Sequence, residues 1–278
     1  MGRIKNTFAL ARTSWGVLQQ DRELLWIPVL SFLTSILVAA VLVTPALLTL
    51  ETTQTATGES TTISAVGGFF LLLAALALGV VSVFFTGALV AGAHERMSGG
   101  DPTVRSAIST AFGRIAGLVP WALLTTTVGM IIRALRERAG FLGQMLLGGI
   151  NMAWEVAAFL TIPAIVIDNK GPIDGFKTSA GLLRSTWGEN LAARVGFGLV
   201  GFLLVIPAVV LGGLLVASGS AALAVVGIVI AVAWIALSVV VMTALGAIFQ
   251  TALYMYATTG TSPGGFESTT LSQSFARR

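Results

Sequence analysis

One face of a helical segment in the middle of the sequence carries an acid and two amides. Gln144, Asn151 and Glu155 recur at i, i+7 and i+11, a spacing that places all three on the same side of a helix. The surrounding residues are apolar, and an ionisable group inside such a segment usually serves a site. Glu155 could therefore bind a cation or relay a proton with its amide neighbours. The alternative is structural, with a hydrogen-bonded or protonated Glu155 that fixes helix packing.

Basic side chains gather just before this segment, between two apolar stretches. Arg133 and Arg136 lie within six residues that also contain Glu137 and Arg138. Such a cluster of guanidinium groups could hold an anionic substrate or a lipid headgroup. Arg133 could equally pair with Glu137 at i+4, which would make the cluster an ordinary solvated ion pair.

The stretch that ends in these arginines has a polar stripe of its own. Thr126, Gly129 and Arg133 follow one another at i, i+3 and i+7. A tight turn after the arginines would make the two helical segments antiparallel and would set Glu155 near Thr125 and Thr126. We therefore expect the two polar stripes to face each other or a shared cavity.

Composition and motifs exclude several other kinds of site. His94 is the only histidine and the chain has no cysteine, which leaves no His-rich metal site, Ser-His-Asp triad or thiol chemistry. The run from Gly196 to Gly201 has the GxGxxG pattern, but a dinucleotide site also needs a strand before it and an acid about 20 residues after it. The sequence offers neither. We predict a protein that is not an enzyme and that needs no metal and no cofactor.

The elements that must position these residues are helices in a lipid bilayer. Apolar residues make up 55% of the 278 residues and charged residues 10%, whereas a soluble domain carries about 25% charge. The mean hydropathy is +0.92. The lipid bilayer is therefore the expected partner. The net charge of +4 does not indicate nucleic-acid binding, because the basic residues follow the positive-inside rule.

Charge-free apolar runs divide the chain into segments long enough to span a membrane. We predict an all-α polytopic protein with a single membrane domain over residues 1–257 and a cytoplasmic tail over residues 258–278. The tail is expected either to be disordered or to dock through a short helix that bears Phe266, Leu271 and Phe275. The domain has six predicted transmembrane helices, at about 24–50, 65–93, 115–132, 141–167, 195–217 and 221–250.

The distribution of lysine and arginine predicts the orientation of these spans. Six spans place 13 of the 16 basic residues on one side, whereas a re-entrant third segment would leave 10 on that side and 6 on the other. Because the basic side is the cytoplasmic one, we predict a multi-pass protein of the prokaryotic cytoplasmic (inner) membrane with both termini in the cytoplasm. Residues 51–64 would then form an external loop.

An amphipathic segment precedes each pair of spans, and the three segments share a short motif. The second segment is expected to begin with Asp101 as N-cap and Pro102 at the first helical position. These features predict three hairpin repeats, each preceded by a cytoplasmic amphipathic helix. The alternative is that small-plus-aromatic motifs are common at interfaces, where tryptophan favours the headgroup region. The three copies are Thr13-Ser14-Trp15-Gly16, Thr110-Ala111-Phe112-Gly113 and Ser185-Thr186-Trp187-Gly188.

Four parts of the sequence carry a resemblance to a known family. They are Thr7–Leu30, the turn Gly99–Pro102, the stretch Arg133–Gly140, and the series Tyr256-Ala257, Gly260, Phe266 and Phe275. Together they resemble an uncharacterised family of six-helix integral membrane proteins from actinobacteria and archaea, classed as a domain of unknown function. The surface helices are also distantly similar to the membrane domain of bacterial glycerophosphodiester phosphodiesterases. The resemblance implies fold and topology, and it implies no catalytic residue.

Two functions fit these features. The first is transport or a pore-like role for a small solute, ion or lipid, through a polar interior between the third and fourth spans. The second is a membrane scaffold or partner subunit that acts through its cytoplasmic amphipathic helices. Small residues on several spans favour self-association into a homo-oligomer, and the arginine cluster is a candidate contact for an anionic lipid.

Overall fold

The computed structural model describes residues 13–55, 58–184, 187–264 and 266, and within these ranges it describes only the backbone of residues 51–62 and 184–200. Five helical segments are long and apolar enough to cross a bilayer. They are Arg22–Leu48, Ala65–Met97, Ile115–Arg138, Phe141–Asp168 and Ala221–Thr259. These segments indicate a multi-pass membrane protein. A further apolar helix, Gly201–Ala217, falls in the predicted span 195–217, and that crossing stays a prediction.

Helices make up nearly all of the described chain, and one β-hairpin interrupts them. The first described helix, α1, covers residues 13–20 and is followed by a short 3-10 helix, Arg22–Leu25. The remaining elements are α2 (Trp26–Leu48), β1 (Leu50–Thr55), β2 (Gly58–Ile63), α3 (Ala65–Met97), α4 (Val104–Gly113), α5 (Ile115–Arg138), α6 (Phe141–Ala158), α7 (Thr161–Asp168), α8 (Pro172–Arg184), α9 (Trp187–Ala217) and α10 (Ala221–Thr259).

The connection between α2 and α3 is the β-hairpin, where the sequence predicted only an external loop. β1 and β2 pair antiparallel in a register that sets Leu50 opposite Ile63 and Thr55 opposite Gly58. The segment is rich in threonine, whose β-branched side chain favours extended backbone. The helical prediction is confirmed for the candidate spans, and the hairpin adds a two-stranded sheet outside them.

The predicted surface helices α4 and α8 are present, but α4 starts later than expected. Its N-cap is Thr103, whose side chain accepts a hydrogen bond from the Ser106 amide at 3.0 Å, while the Ser106 hydroxyl accepts one from the Thr103 amide at 3.0 Å. Such a reciprocal capping box satisfies two donors at once. The assignment of Asp101 as N-cap was therefore wrong, and Asp101 contacts Arg96 instead at 2.8 Å.

Parts of the predicted repeat lie outside the described residues. These are residues 1–12 of the first amphipathic segment, together with Ser185 and Thr186 of the third motif. The described part of the first segment is helical over residues 13–20. The threefold repeat therefore stays a prediction.

The hydrophobic core lies in the half of the bundle next to α4 and α8. It is formed by α3 after Val83, by α5 up to Ala122, by α7 and by α10 after Ala244. We call this region the packed half. Its helices approach closely, since a Cβ added to Gly117 of α5 would lie 2.7 Å from Cγ2 of Ile165 in α7.

The opposite half of the bundle, next to the β-hairpin and the α9–α10 turn, is open. Large apolar side chains of α2, α3, α9 and α10 are exposed there and would face lipid or the spaces between helices. We call this region the open half. Examples of these exposed side chains are Leu37, Leu47, Phe69, Phe202, Leu214 and Val229.

The fourth predicted span, 141–167, is present, but its helix is interrupted. α6 ends at Ala158 and α7 begins at Thr161, with Phe159 and Leu160 in a turn between them. Pro163 has no N–H with which to bond the carbonyl of Phe159, four residues earlier, so the helical ladder stops here. The span therefore carries a break between an 18-residue and an 8-residue helix, which the sequence analysis did not predict.

The last helix extends past its predicted span, 221–250, and its end is buried. α10 is a single helix of 39 residues, and Gln250, Thr251 and Tyr254 lie inside the packed half. The described part of the tail docks on the same region, because Phe266 is only 4% exposed and the Gly264 amide donates to the Met97 carbonyl at 3.3 Å. Leu271 and Phe275, the other predicted anchors of the tail, lie outside the described residues.

Candidate functional site

Side chains of two other helices satisfy the backbone groups freed at the break between α6 and α7. The side-chain amide of Gln250 in α10 donates to the Phe159 carbonyl, taking the place of the N–H that Pro163 lacks. The hydroxyl of Ser179 in α8 accepts from the Leu160 amide at 2.9 Å. Both side chains are buried, with Gln250 at 8% exposure and Ser179 at 0%. Irregular backbone at membrane depth is tolerated only when such partners are supplied.

A cavity of about 320 Å³ lies beside this break, among α3, α5, α6, α7 and α10. We call it the Glu155 cavity. Its volume falls at the small end of the range of ligand sites, which is roughly 300 to 1,000 Å³. Its lining includes four polar side chains and two large aromatic ones, which are Thr125, Asn151, Glu155, Gln250, Trp121 and Trp154.

The acid of the cavity is held by its amide neighbour and lies at the middle of the fourth span. Asn151 Nδ2 donates to Glu155 Oε1 at 2.8 Å. Glu155 is 14 residues from Phe141 and 13 from Asp168, the two ends of the span. At about 1.5 Å per helical residue, this places it roughly 20 Å from each end. Glu155 therefore lies near the middle of this candidate span.

Two rings of a three-ring aromatic cluster line the cavity. Trp121 of α5 and Trp154 of α6 stack with their ring centroids 6.0 Å apart, and Phe176 of α8 stacks on Trp154 at 5.0 Å. Trp121 is almost fully buried. Rings held on both sides in this way keep a fixed position, which gives the site a rigid aromatic face.

The structure brings together only part of the predicted polar stripes. Asn151 and Glu155 share the cavity with Thr125 and Gly129 of α5, as the antiparallel pairing predicted. Thr126 lies elsewhere, because its side chain packs against Gly79 of α3.

The other three predicted site residues lie away from the cavity, at the far ends of α5 and α6. Arg133 pairs with Glu137 at 3.4 Å and is 85% exposed, and Arg136 is also exposed. Gln144 donates to the Ala139 carbonyl at 3.2 Å. The contact of Arg133 is the solvated i+4 pair that the sequence analysis kept as its alternative.

Four residues at the site and its helix break were not singled out from the sequence. Gln250 is the last residue of the predicted span 221–250, and a lone amide in a long apolar run is itself a signal. Pro163, four residues after Phe159, was the sequence signal for the break that Gln250 fills. Trp121 and Trp154 carried no signal, since 33 residues separate them in the sequence.

The other end of α7 is anchored to its neighbours by polar contacts. The Tyr254 hydroxyl donates to Asp168 Oδ2 at 2.5 Å, and Lys170 Nζ lies 3.1 Å from the same oxygen. Arg114 Nε donates to the Val166 carbonyl at 3.1 Å, where a cation also complements the helix dipole. The short helix α7 is thus fixed at both of its ends.

A second set of charges joins the surface elements to the bundle. Arg96, near the end of α3, donates two hydrogen bonds to Asp21, which precedes the first span, and also binds Asp101 in the α3–α4 turn. Asp21 is only 6% exposed. These contacts fix the α1–α2 connection and the start of α4 to the packed half.

Two further observations limit the chemistry of the molecule. In the described part of the chain, no group of three or more histidine, aspartate or glutamate side chains is placed to hold a metal ion. A larger cavity of about 670 Å³ lies between α2, α3 and α10, and the described residues of its lining are apolar or hydroxyl side chains without charge. The Glu155 cavity differs from it by offering a carboxylate.

Comparison with known proteins assigns the chain to a family. No curated protein matches it. A family of unknown function (DUF6159) matches residues 64–265, from the start of α3 to the docked tail. The match confirms the prediction of an uncharacterised family. Because it covers well over half of the 278 residues, the chain belongs to this family of unknown function.

Proposed function

We propose that the protein carries a small polar solute or ion across the membrane through the Glu155 cavity. One observation carries the proposal: a carboxylate and two amides converge on a cavity near the middle of a candidate membrane span, beside a break in its helix. Discontinuous helices at the midplane are a recurrent way to build substrate sites in transporters. An ionisable group at this depth is costly unless it serves such a role.

The contrast between the two halves of the bundle supports the same function. The cavity lies where the packed half meets the open half, so the separated helices of the open half leave room for a solute to approach. The anchored helix α7 and the buried core beneath it would close the opposite side. We infer that the cavity opens towards the hairpin side, and a cavity open towards one side only is one of the two states that alternating access requires.

The proposal includes the predicted topology. The protein crosses the membrane six times in three hairpin repeats, with both termini in the cytoplasm of a prokaryotic cell, and it acts without covalent chemistry. Small-residue faces support a homo-oligomer. The exposed arginines Arg133 and Arg136 would contact anionic headgroups on the external side. The distant likeness to the phosphodiesterase membrane domain stays a prediction.

A membrane scaffold is the second candidate function, and the surface helices favour it. Trp15 is 40% exposed and Phe112 is 58% exposed, each within a predicted surface helix. Exposed aromatic residues on such helices suit the lipid headgroup region. In this alternative the Arg96 contacts would hold the surface helices at a fixed angle to the spans, so that partners or the bilayer could be organised around them.

A permeation experiment separates the two functions. Purified protein is reconstituted in liposomes, and stopped-flow light scattering follows the entry of sodium, potassium, ammonium, choline and glycerol. We expect at least one solute to enter faster than in empty liposomes, and Glu155→Gln to slow that entry at least tenfold. Glu137→Gln, which changes an exposed glutamate outside the cavity, should leave it unchanged.

The opposite outcome would favour the scaffold. If no solute enters faster and the protein instead changes the diameter or curvature of the vesicles, the transport proposal fails.

A further inference from the structure

We infer that the larger cavity, which lies between α2, α3 and α10, binds an acyl chain of a membrane phospholipid. We call it the lipid cavity. It shares no described lining residue with the Glu155 cavity, so this site is separate from the proposed transport site and is tested independently of it. Its ligand follows from four properties of the cavity, which are its lining, its opening, its length and its position in the bundle.

The described lining of the lipid cavity is suited to hydrocarbon. Its polar side chains are five hydroxyls, and the others are apolar. The Thr86 hydroxyl donates to the Ser82 carbonyl at 2.8 Å, so this donor is already used within α3. The described side chains therefore offer a solute no charged partner, whereas a hydrocarbon chain would make the dispersion contacts that the walls of an empty space lack.

Small side chains on two neighbouring helices create the space. Ser31 and Ser35 of α2 are four residues apart, as are Ser82 and Thr86 of α3, so each pair lies on one face of its helix. All four line the cavity, whose volume of about 670 Å³ lies within the usual range of ligand sites, roughly 300 to 1,000 Å³. Two rows of short side chains form a groove that runs along the helices, and an elongated ligand suits such a groove.

The lipid cavity opens to the outside of the bundle. Three side chains of its lining, Phe32, Leu237 and Val239, are more than half exposed, whereas Leu89 is buried in the core. The walls of the cavity thus extend from the core to the surface that candidate membrane spans present to lipid. An acyl chain can enter sideways from the bilayer without passing through water.

The length of the lipid cavity matches one leaflet of a bilayer. Its lining covers residues 28–35 of α2, 82–89 of α3 and 232–243 of α10. At about 1.5 Å per helical residue, these stretches are roughly 10, 10 and 16 Å long. One leaflet contributes half of a hydrocarbon core that is about 30 Å thick, which is about 15 Å. The cavity therefore has the length that an acyl chain occupies.

The position of the lipid cavity places one of its ends at the level of the lipid headgroups. Trp26 lies two residues before Pro28, the first lining residue of α2, and its side chain is 62% exposed. Tryptophan favours the headgroup region. Leu89 of α3 belongs to the core of the packed half, so the cavity begins beside that half and runs towards the middle of the bundle. A phospholipid could keep its headgroup near Trp26 while one chain follows the groove.

Native mass spectrometry of the full-length protein tests the inference. The protein is reconstituted in phosphatidylethanolamine vesicles, extracted in detergent and washed until loosely held lipid is removed. We expect one phospholipid to remain on each chain. Ser35→Phe fills the groove and should lower the retained lipid at least fivefold. The matched control is Ala40→Phe, at an exposed position of α2 outside the described lining, which should leave retention unchanged.

Photo-crosslinking of the unaltered protein decides the outcome if Ser35→Phe does not fold. The vesicles then contain phosphatidylethanolamine with a diazirine either near the ester or near the end of its acyl chain, and irradiation follows the detergent wash. The diazirine near the ester should label Pro28 and Leu89, and the one near the chain end should label Ser35 and Ser82. Peptide mapping should show at least fivefold less labelling at Leu37, which is exposed outside the described lining.

Three results would overturn the inference. The first is loss of all phospholipid from the unaltered protein during the wash. The second is equal retention by Ser35→Phe and Ala40→Phe, and the third is equal labelling of the lining and of Leu37. A dimer that holds no phospholipid would show instead that a second copy covers the groove.

Discussion

The packed half and the open half of the bundle are built from similarly apolar helices, yet they differ in how those helices meet. In the packed half, Gly117 lies against Ile165, and polar side chains such as Arg96 and Gln250 bind partners in other segments of the chain. In the open half, large apolar side chains of four helices are exposed. The difference indicates that one half fixes the architecture, while the other leaves space for a ligand or lipid at the level of Glu155.

Removal of Arg96 should show the largest effect on stability. Arg96→Ala leaves the buried carboxylate of Asp21 without its partner, and breaking a buried pair in this way costs on the order of 3 kcal/mol. This loss of stability would lower the melting temperature of the detergent-solubilised protein. The matched control is Arg133→Ala, which breaks an exposed pair worth about 0–1 kcal/mol. Equal effects of the two changes would contradict the distinction between the halves.

The helix break offers a test with an internal rescue. Gln250→Leu removes the hydrogen bond from the Gln250 amide to the Phe159 carbonyl and should cost about 1–3 kcal/mol. Pro163→Ala in the same chain restores an N–H four residues after Phe159, so the double variant should recover part of the loss in melting temperature. Gln144→Leu, at an exposed amide, should change stability little. A double variant that is no more stable than Gln250→Leu would show that Pro163 does not set the break.

Glycine-to-alanine substitutions should change the free energy of unfolding least. The change should be destabilising in α5 and neutral or stabilising in α6. Gly117→Ala forces a methyl group against Ile165 and should destabilise by about 1–2 kcal/mol. A Cβ at Gly148 of α6 would have no neighbour within 4 Å, so Gly148→Ala should be neutral or stabilise by up to about 1 kcal/mol through helix propensity. The melting temperatures of the two variants test this difference. A lower melting temperature for Gly148→Ala would show that another part of the protein packs against α6 at this position.

Local patterns in the sequence predicted the spans and one side of the site. Asn151 and Glu155 were identified because helical spacing and charge within an apolar run are local signals. Thr125 followed from the antiparallel pairing of two neighbouring segments. Gln250 could not be placed in the same way, because its contact with Phe159 joins residues 91 apart in the sequence.

The division of the bundle into a packed half and an open half could not be predicted from the sequence either. The stretch of α10 from Val229 to Ile248 is almost entirely apolar, yet Val229 is exposed and Ile248 is buried. Hydropathy reports only that a residue suits the bilayer. Whether it meets lipid or another helix depends on how several spans pack together, which no single run encodes.

The accessibility of the Glu155 cavity tests the central claim most directly. The chain contains no cysteine, so Thr125→Cys and Ala252→Cys each provide a single thiol, the first in the cavity and the second fully buried in the packed half. A charged, membrane-impermeant thiol reagent added from the β-hairpin side should modify Thr125→Cys and leave Ala252→Cys unmodified, as followed by mass spectrometry. A Thr125→Cys variant that stays unmodified from either side of the membrane would contradict the claim that a water-borne solute reaches this cavity.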